Sequence, residues 1–155
     1  MASYASGTEV PIEKSKMEIE AIVRRYGADG FLSGWEDNRA MVQFRTKERY
    51  VRFLVTTPKR DEKRFTHHSR GVRSPDAAAR EWEQACRQRW RALALMIKAK
   101  LEAVESGIVT FEQEFFPHVL MPAGQTVYDA GRGALALAYE TGEVQPLLPL
   151  PKGGD

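Results

Sequence analysis

Arg87-Gln-Arg-Trp-Arg-Ala-Leu-Ala-Leu-Met-Ile-Lys-Ala-Lys-Leu-Glu-Ala-Val-Glu-Ser-Gly107 decides the fold. It reads as the second half of one long helix. Upstream, Ser74-Pro75-Asp76 announces the start, with a capping hydroxyl, a proline in the first turn and an acid near the positive dipole end. Nothing interrupts the helical pattern over 75–106, and Gly107 stops it, so the spacing predicts a rod on the order of 48 Å long. Trp82, Cys86, Trp90, Leu93, Ile97, Leu101, Val104 and Ile108 recur at steps of three and four and define a core-facing stripe. Ala85, Ala92, Ala99 and Ala103 form a second arc, small enough for another element to approach. Arg80, Arg87, Arg91 and Lys98 fall within about 40° of one another on a third side. The helix is expected to be packed on two sides and basic on one.

Working outward toward the N-terminus, residues 1–14 read as a loose lead-in, with Val10-Pro11-Ile12 as an edge strand. Ser15-Lys-Met-Glu18 fits a capping box, followed by Ile19, Ile22, Val23 and Tyr26 at helical spacing and a stop at Gly27. Three strands follow, over 31–35, 39–45 and 49–57, the first two joined by a turn at Glu36-Asp37-Asn38. Alternation turns Ala40, Val42, Phe44, Val51, Phe53 and Val55 inward and displays Met41, Gln43, Arg45, Tyr50, Arg52 and Leu54 on the other face. Residues 58–74 lack periodicity and read as a long basic loop. Beyond the spine, Thr110-Phe-Glu-Gln113 resembles a capping box for a short helix ended by Pro117. Pro122-Ala-Gly-Gln125 is a turn, and Thr126 with Asp129 opens a last helix that carries Leu135, Leu137, Ala138 and Tyr139 and stops at Gly142. Residues 143–155, with three prolines, form an extended tail. The expected architecture is α+β in a single domain: a short N-terminal helix, a three-stranded antiparallel meander, one long central helix and short C-terminal helices. Helix, meander, helix is also the order of double-stranded-RNA-binding domains and echoes single-strand-annealing cores, a likeness of topology only.

A chain of 155 residues, 43% of them hydrophobic, is long enough to bury a core. Its longest apolar run, Ala92-Leu-Ala-Leu-Met-Ile97, is far short of a membrane span, and the N-terminus shows no secretory signal pattern, so a cytoplasmic protein is expected. Cys86 is the only cysteine; it falls on the apolar stripe and reads as a buried, inert thiol. No phosphate loop, nucleophile elbow or dinucleotide fingerprint occurs, and no cofactor is implied.

The net charge of +2 hides a polarity along the chain. Residues 1–38 carry four Lys/Arg against seven Asp/Glu, residues 39–100 seventeen against six, and residues 101–155 two against eight. A basic middle between acidic ends points to a polyanion surface, because phosphates need cations in a row and arginine adds bidentate geometry and stacking. Three pieces would build it. The outward sheet face offers Arg45, Tyr50 and Arg52; the loop offers Lys59, Arg60, Lys63, Arg64, Arg70 and Arg73; the helix stripe offers Arg80, Arg87, Arg91 and Lys98. Tyr50 among arginines could stack an unpaired base. No base-reading motif is present, so backbone or single-strand binding of DNA or RNA is expected rather than sequence-specific recognition. The competing expectation is that these cations pair with the acidic ends, within the fold or between copies, as in an interaction module or a homo-oligomer. His67-His68 lacks a third metal ligand and reads as solvent-exposed. Glu102, Glu105, Glu112 and Glu114 with His118 could form a metal-dependent nuclease site, although Lys98 and Glu102 suit an i, i+4 ion pair. Trp35, Trp82 and Trp90 read as core.

The chain resembles a family of small uncharacterised proteins of bacteriophages, prophages and other mobile elements. The likeness runs through Ser6-Gly7-Thr8, Glu13-Lys-Ser-Lys16, Arg25-Tyr26-Gly27, Arg87-Gln-Arg-Trp-Arg-Ala-Leu-Ala-Leu95, Ile97-Lys-Ala-Lys-Leu-Glu-Ala-Val-Glu105, Phe111-Glu112, Leu120-Met-Pro122, Tyr139-Glu-Thr-Gly142 and Leu147-Leu-Pro149. The Gly- and Ala-rich stretch from Val127 to Ala134 departs from the family's more amphipathic pattern. The resemblance implies an accessory protein of a phage or mobile element that handles DNA or interferes with host defence through a host protein. It brings no catalytic residues.

Overall fold

The structure is a computed structural model that describes residues 5–149. Helix α1 (Ile12–Arg25) leads into a meander of β1 (Gly30–Glu36), β2 (Arg39–Thr46) and β3 (Arg49–Thr56). A short helix α2 (Lys63–Thr66) and a miniature hairpin of β4 (His67–His68) and β5 (Gly71–Val72) precede the spine, α3 (Pro75–Glu105). Helix α4 (Phe111–Phe115), a 3-10 turn (Phe116–His118) and α5 (Val127–Thr141) complete the α+β fold.

The sheet is antiparallel in the order β1-β2-β3, pairing Ser33 with Val42 and Val42 with Phe53. Period two puts Val42, Phe44, Val51 and Phe53 on one face, where they meet Ile19 and Val23 of α1 and Leu93, Ile97 and Leu101 of α3. Phe115 closes this core from α4, with its ring edge-on to Phe44 at 5.9 Å and to Phe53 at 6.3 Å. Beyond β3, Val119 bridges to Val51 and the Leu120 amide donates to the Tyr50 carbonyl at 2.8 Å, which covers that sheet edge.

The caps expected for α3, α4 and α5 are present. Ser74 accepts from the Ala77 amide, Thr110 and Gln113 form a reciprocal box, and Thr126 accepts from the Asp129 amide. At the first helix the expectation fails. Helix α1 begins one turn earlier, after Pro11, and Ser15 is fully buried with its Oγ unpartnered among the described residues. Pro11 stands at the N-cap with extended backbone and no side-chain cap, and Ile12, the first helical residue, packs against the core rather than in an edge strand. The lead-in is not loose where it is described. Ala5 is buried, Gln84 of α3 donates to the Thr8 carbonyl at 2.8 Å, and Gln88 donates to the Ser6 carbonyl.

Three further expectations are corrected. The segment 58–74 is not a structureless loop: Phe65 is buried, α2 packs on α3, and Arg73 donates to the carbonyls of Arg64, Phe65 and His67. The alanine arc of α3 is not a packing face, since Ala92 and Ala99 are exposed; it lies opposite the core stripe. Ile108 lies beyond the helix end and is exposed. At the other end, the described part of the tail packs on α5, where the Leu147 carbonyl lies 3.4 Å from the place a Cβ on Gly131 would take. Residues 150–155 of the expected tail lie outside the described residues.

Candidate functional site

The expected basic surface does not form as one patch. The sheet buries one face against α1 and α3, so Arg45, Tyr50 and Arg52 look away from the helix layer. The three pieces therefore cannot share one side of the molecule. Several of the cations are also occupied. Arg45 holds Asp29 through two bonds, Nε to Oδ1 at 2.8 Å and a second nitrogen to Oδ2 at 3.1 Å, and its guanidinium lies 5.9 Å from the Tyr50 ring. That hydrogen bonding lowers the Asp29 carboxyl below its usual range. Arg52 donates to Gln43 at 3.1 Å and to the Gly124 carbonyl at 3.3 Å. Arg91 is ion-paired to Glu18 of α1, and Arg64 to Glu62 at 2.7 Å. Arg73 is spent on backbone carbonyls. Arg49 and Lys100, outside the expected set, reach Glu112 and Glu114. Four cations of the basic middle, Arg45, Arg49, Arg91 and Lys100, thus pair with carboxylates of the acidic ends.

Among the described residues, Lys59, Arg60, Lys63, Arg70, Arg80 and Lys98 enter no ion pair, and Lys98 does not reach Glu102. Lys63 and Arg70 sit on α2 and the miniature hairpin, Arg80 near the start of α3, and Lys98 farther along the spine. Arg60 lies 4.1 Å over the Trp82 ring, a cation–π contact that fixes the guanidinium at a rim.

That rim belongs to a cleft of about 1080 Å³ between the start of α1, the first half of α3 and the β1–β2 end of the sheet. All three tryptophans of the chain line it. Trp90 forms the floor and is buried, Trp82 is half-buried with its indole N–H donating to the Pro58 carbonyl at 2.8 Å, and Trp35 is 76% exposed. The expectation that all three are core is corrected: Trp90 alone joins the core cluster. Register explains Trp35. It stands on the inward face of β1 opposite Ala40, at the end of the sheet where the helices no longer cover it. Lys16 lies 5.0 Å over Trp90 and pairs with Glu13, and Arg87 donates to Gln84. Lys16, Lys59, Arg60 and Arg87 face Glu9, Glu13, Asp37 and Glu83 around the rim. Cys86 lines the floor, and burial pushes its thiol up, away from the reactive thiolate.

The nuclease constellation does not assemble. Glu102 and Glu105 are exposed on α3, Glu112 and Glu114 serve Arg49 and Lys100, and His118 stacks on Phe53 with ring centroids 4.3 Å apart. Burial and Lys100 hold the His118 imidazole below its usual pKa, with Glu114 opposing. Among the described residues no group of three His, Cys, Asp or Glu could hold a metal ion. His67 and His68 are exposed, each taken up locally, with Thr66 and with the Arg70 amide. Among those residues no helix is long and apolar enough to cross a membrane. Compared with protein families, curated proteins and solved structures, the chain gives no match.

The cleft escaped the sequence because its walls come from four separate segments. The sequence does hold one signal: Trp82 and Trp90 lie eight residues apart on the same apolar stripe of α3.

Proposed function

We propose that this chain is a non-enzymatic accessory protein that binds single-stranded nucleic acid by accepting a base between tryptophans. The observation that carries this reading is the gathering of all three tryptophans around one open cleft, with Arg60 stacked on Trp82 and in no described ion pair. A base has a π-face whatever its identity, and stacking on an aromatic side chain is worth about 1–3 kcal/mol per base. The carboxylates of Glu9 and Glu13 keep phosphates off the α1 side of the rim. The backbone of a bound strand would run along the opposite side, past Lys59, Arg60 and Lys63. An accessory role of this kind in the host cytoplasm is what the resemblance read from the sequence implies.

Few cations meet the strand in this arrangement, so the salt dependence is expected to be shallow. Neutralising about three phosphates gives a slope near −2 in log K against log salt for a single strand. Fluorescence anisotropy of labelled oligo-dT and oligo-U over a salt series measures it. No binding to either at low ionic strength removes the proposal, and a slope several times steeper points to an extended polyanion surface instead.

A second reading, an interaction module such as an inhibitor of a host defence complex, is favoured by α5. Tyr128, Leu135 and Tyr139 lie at helical spacing on its outer side and are all exposed, Tyr139 by 86%.

A further inference from the structure

We propose that β1 is a pairing edge and that its partner is β1 of a second copy of this chain, joined antiparallel about Ser33. The β3 edge of the sheet is covered by residues 119–120, but β1 makes no backbone hydrogen bond beyond β2 to any described residue. Which of its groups point outward follows from the ladder. Thr57 donates to the Asn38 carbonyl at 2.7 Å, one step beyond the Arg39–Thr56 pair. Hydrogen-bonded pairs recur every second residue, so Ala40, Val42 and Phe44 bond to β3, and Arg39, Met41, Gln43 and Arg45 bond to β1. Leu32 and Gly34 therefore spend their amides on β2. Phe31, Ser33 and Trp35 direct theirs out of the sheet.

Exposed edges of natural sheets usually carry a lysine, a proline or a bulge that discourages pairing. Gly30-Phe-Leu-Ser-Gly-Trp-Glu36 has no lysine or proline, and its register with β2 runs without a break. Its sequence is also complementary to itself. With two Ser33 residues opposite each other, Phe31 faces Trp35 of the second copy, and Leu32 faces Gly34 of the second copy. An aromatic pair forms on the inward face. On the outward face Leu32, 54% exposed, lies over a glycine beside which nothing stands within 4 Å. Beside Phe31 lies a cavity of about 270 Å³ between α1 and the start of β1, lined by Val23, Ala28 and Phe31 and also by the charged Glu20, Arg24 and Asp29, which leaves room next to the aromatic pair. A shift to Phe31 or Trp35 as the centre keeps the faces but discards the Phe31–Trp35 contacts. The result is an isologous dimer with one continuous six-stranded sheet.

The inference does not depend on nucleic-acid binding: it engages Trp35 with the second copy and leaves Trp82 and Trp90 to the cleft, and its test contains no nucleic acid. Sedimentation of the 155-residue chain should show, with rising concentration, a species of twice 17.5 kDa. In that species the amides of Phe31, Ser33 and Trp35 should exchange with deuterium slowly. On dilution these three should speed up while Leu32 and Gly34 stay protected. Ser33→Pro removes an outward donor without cutting a bond to β2, and Leu32→Lys places like charges beside the dyad; each should weaken the dimer at least tenfold. A 17.5 kDa species at every concentration overturns the proposal. So does a dimer whose Phe31, Ser33 and Trp35 amides stay fast, or one that Leu32→Lys leaves undiminished.

Discussion

The outer sheet face and the cleft both bring arginine and aromatic rings together, and they differ in what the arginines are free to do. On the outer sheet face Arg45 grips Asp29 through two bonds and Arg52 is held by Gln43 and the Gly124 carbonyl. At the cleft Arg60 lies on Trp82 with no carboxylate partner among the described residues. Both look alike as sequence. A bidentate carboxylate offsets a guanidinium's charge and fixes its fork, so it has little left for a phosphate. A ring face leaves the donors at the guanidinium's edge available. Charge density along a chain counts cations; only the fold decides which remain unspent.

The comparison breaks most sharply at Trp82. Trp82→Leu is expected to lower affinity for oligo-dT about tenfold or more, the worth of one stacked base, with circular dichroism confirming that the fold survives. A smaller loss, about threefold to tenfold, is expected for Arg60→Ala in the same anisotropy assay. By contrast, Arg45→Ala and Arg52→Ala should each leave affinity within about twofold, because neither side chain is free in the folded chain. If the sheet-face pair matters as much as Arg60, the distinction between spent and unspent arginines fails.

Two stability effects sharpen the account. Lys47 and Glu48 join β2 to β3 with φ of 49° and 61°, a left-handed pair that glycine and asparagine adopt more readily. Replacing them with Asn-Gly should raise stability by about 1–2 kcal/mol in urea unfolding. The other concerns pH. His118 sits on Phe53 with its pKa held below the ordinary 6.5 by burial and Lys100, so the unfolded chain binds its proton more readily than the folded one. Its contribution is complete above 6.5 and is lost as pH falls through that value toward the folded pKa. His118→Phe should flatten the urea midpoint between pH 7 and 5; an unchanged pH dependence would place the titration elsewhere.

How much was legible in the sequence follows the range of the signals. Local chemistry was readable: Ser74, Thr110 and Thr126 cap the helices that follow them, and alternation in β2 and β3 assigned Val42 and Phe53 inward. At α1 a correct helix carried a wrong start, because Pro11 with Ile12 looks like an extended edge and Ser15 with Glu18 looks like a cap. The segment 58–74 misled for a different reason. Its order comes from Arg73 binding carbonyls and Phe65 entering the interior, and neither leaves a period. The site was the least legible, since Trp35, Trp82 and Trp90 meet only once the meander folds back on the spine.

The central claim is that the tryptophan cleft, and not the arginines of the sheet face, receives the ligand. Nitrogen-15 spectra of the side chains during an oligo-dT titration test it directly, because indole and guanidinium N–H signals report both places at once. The Trp82 indole and the Arg60 Nε–H should shift and saturate together, with Arg45 and Arg52 unmoved. Movement of Arg45 and Arg52 while the Trp82 indole stays fixed would contradict the account.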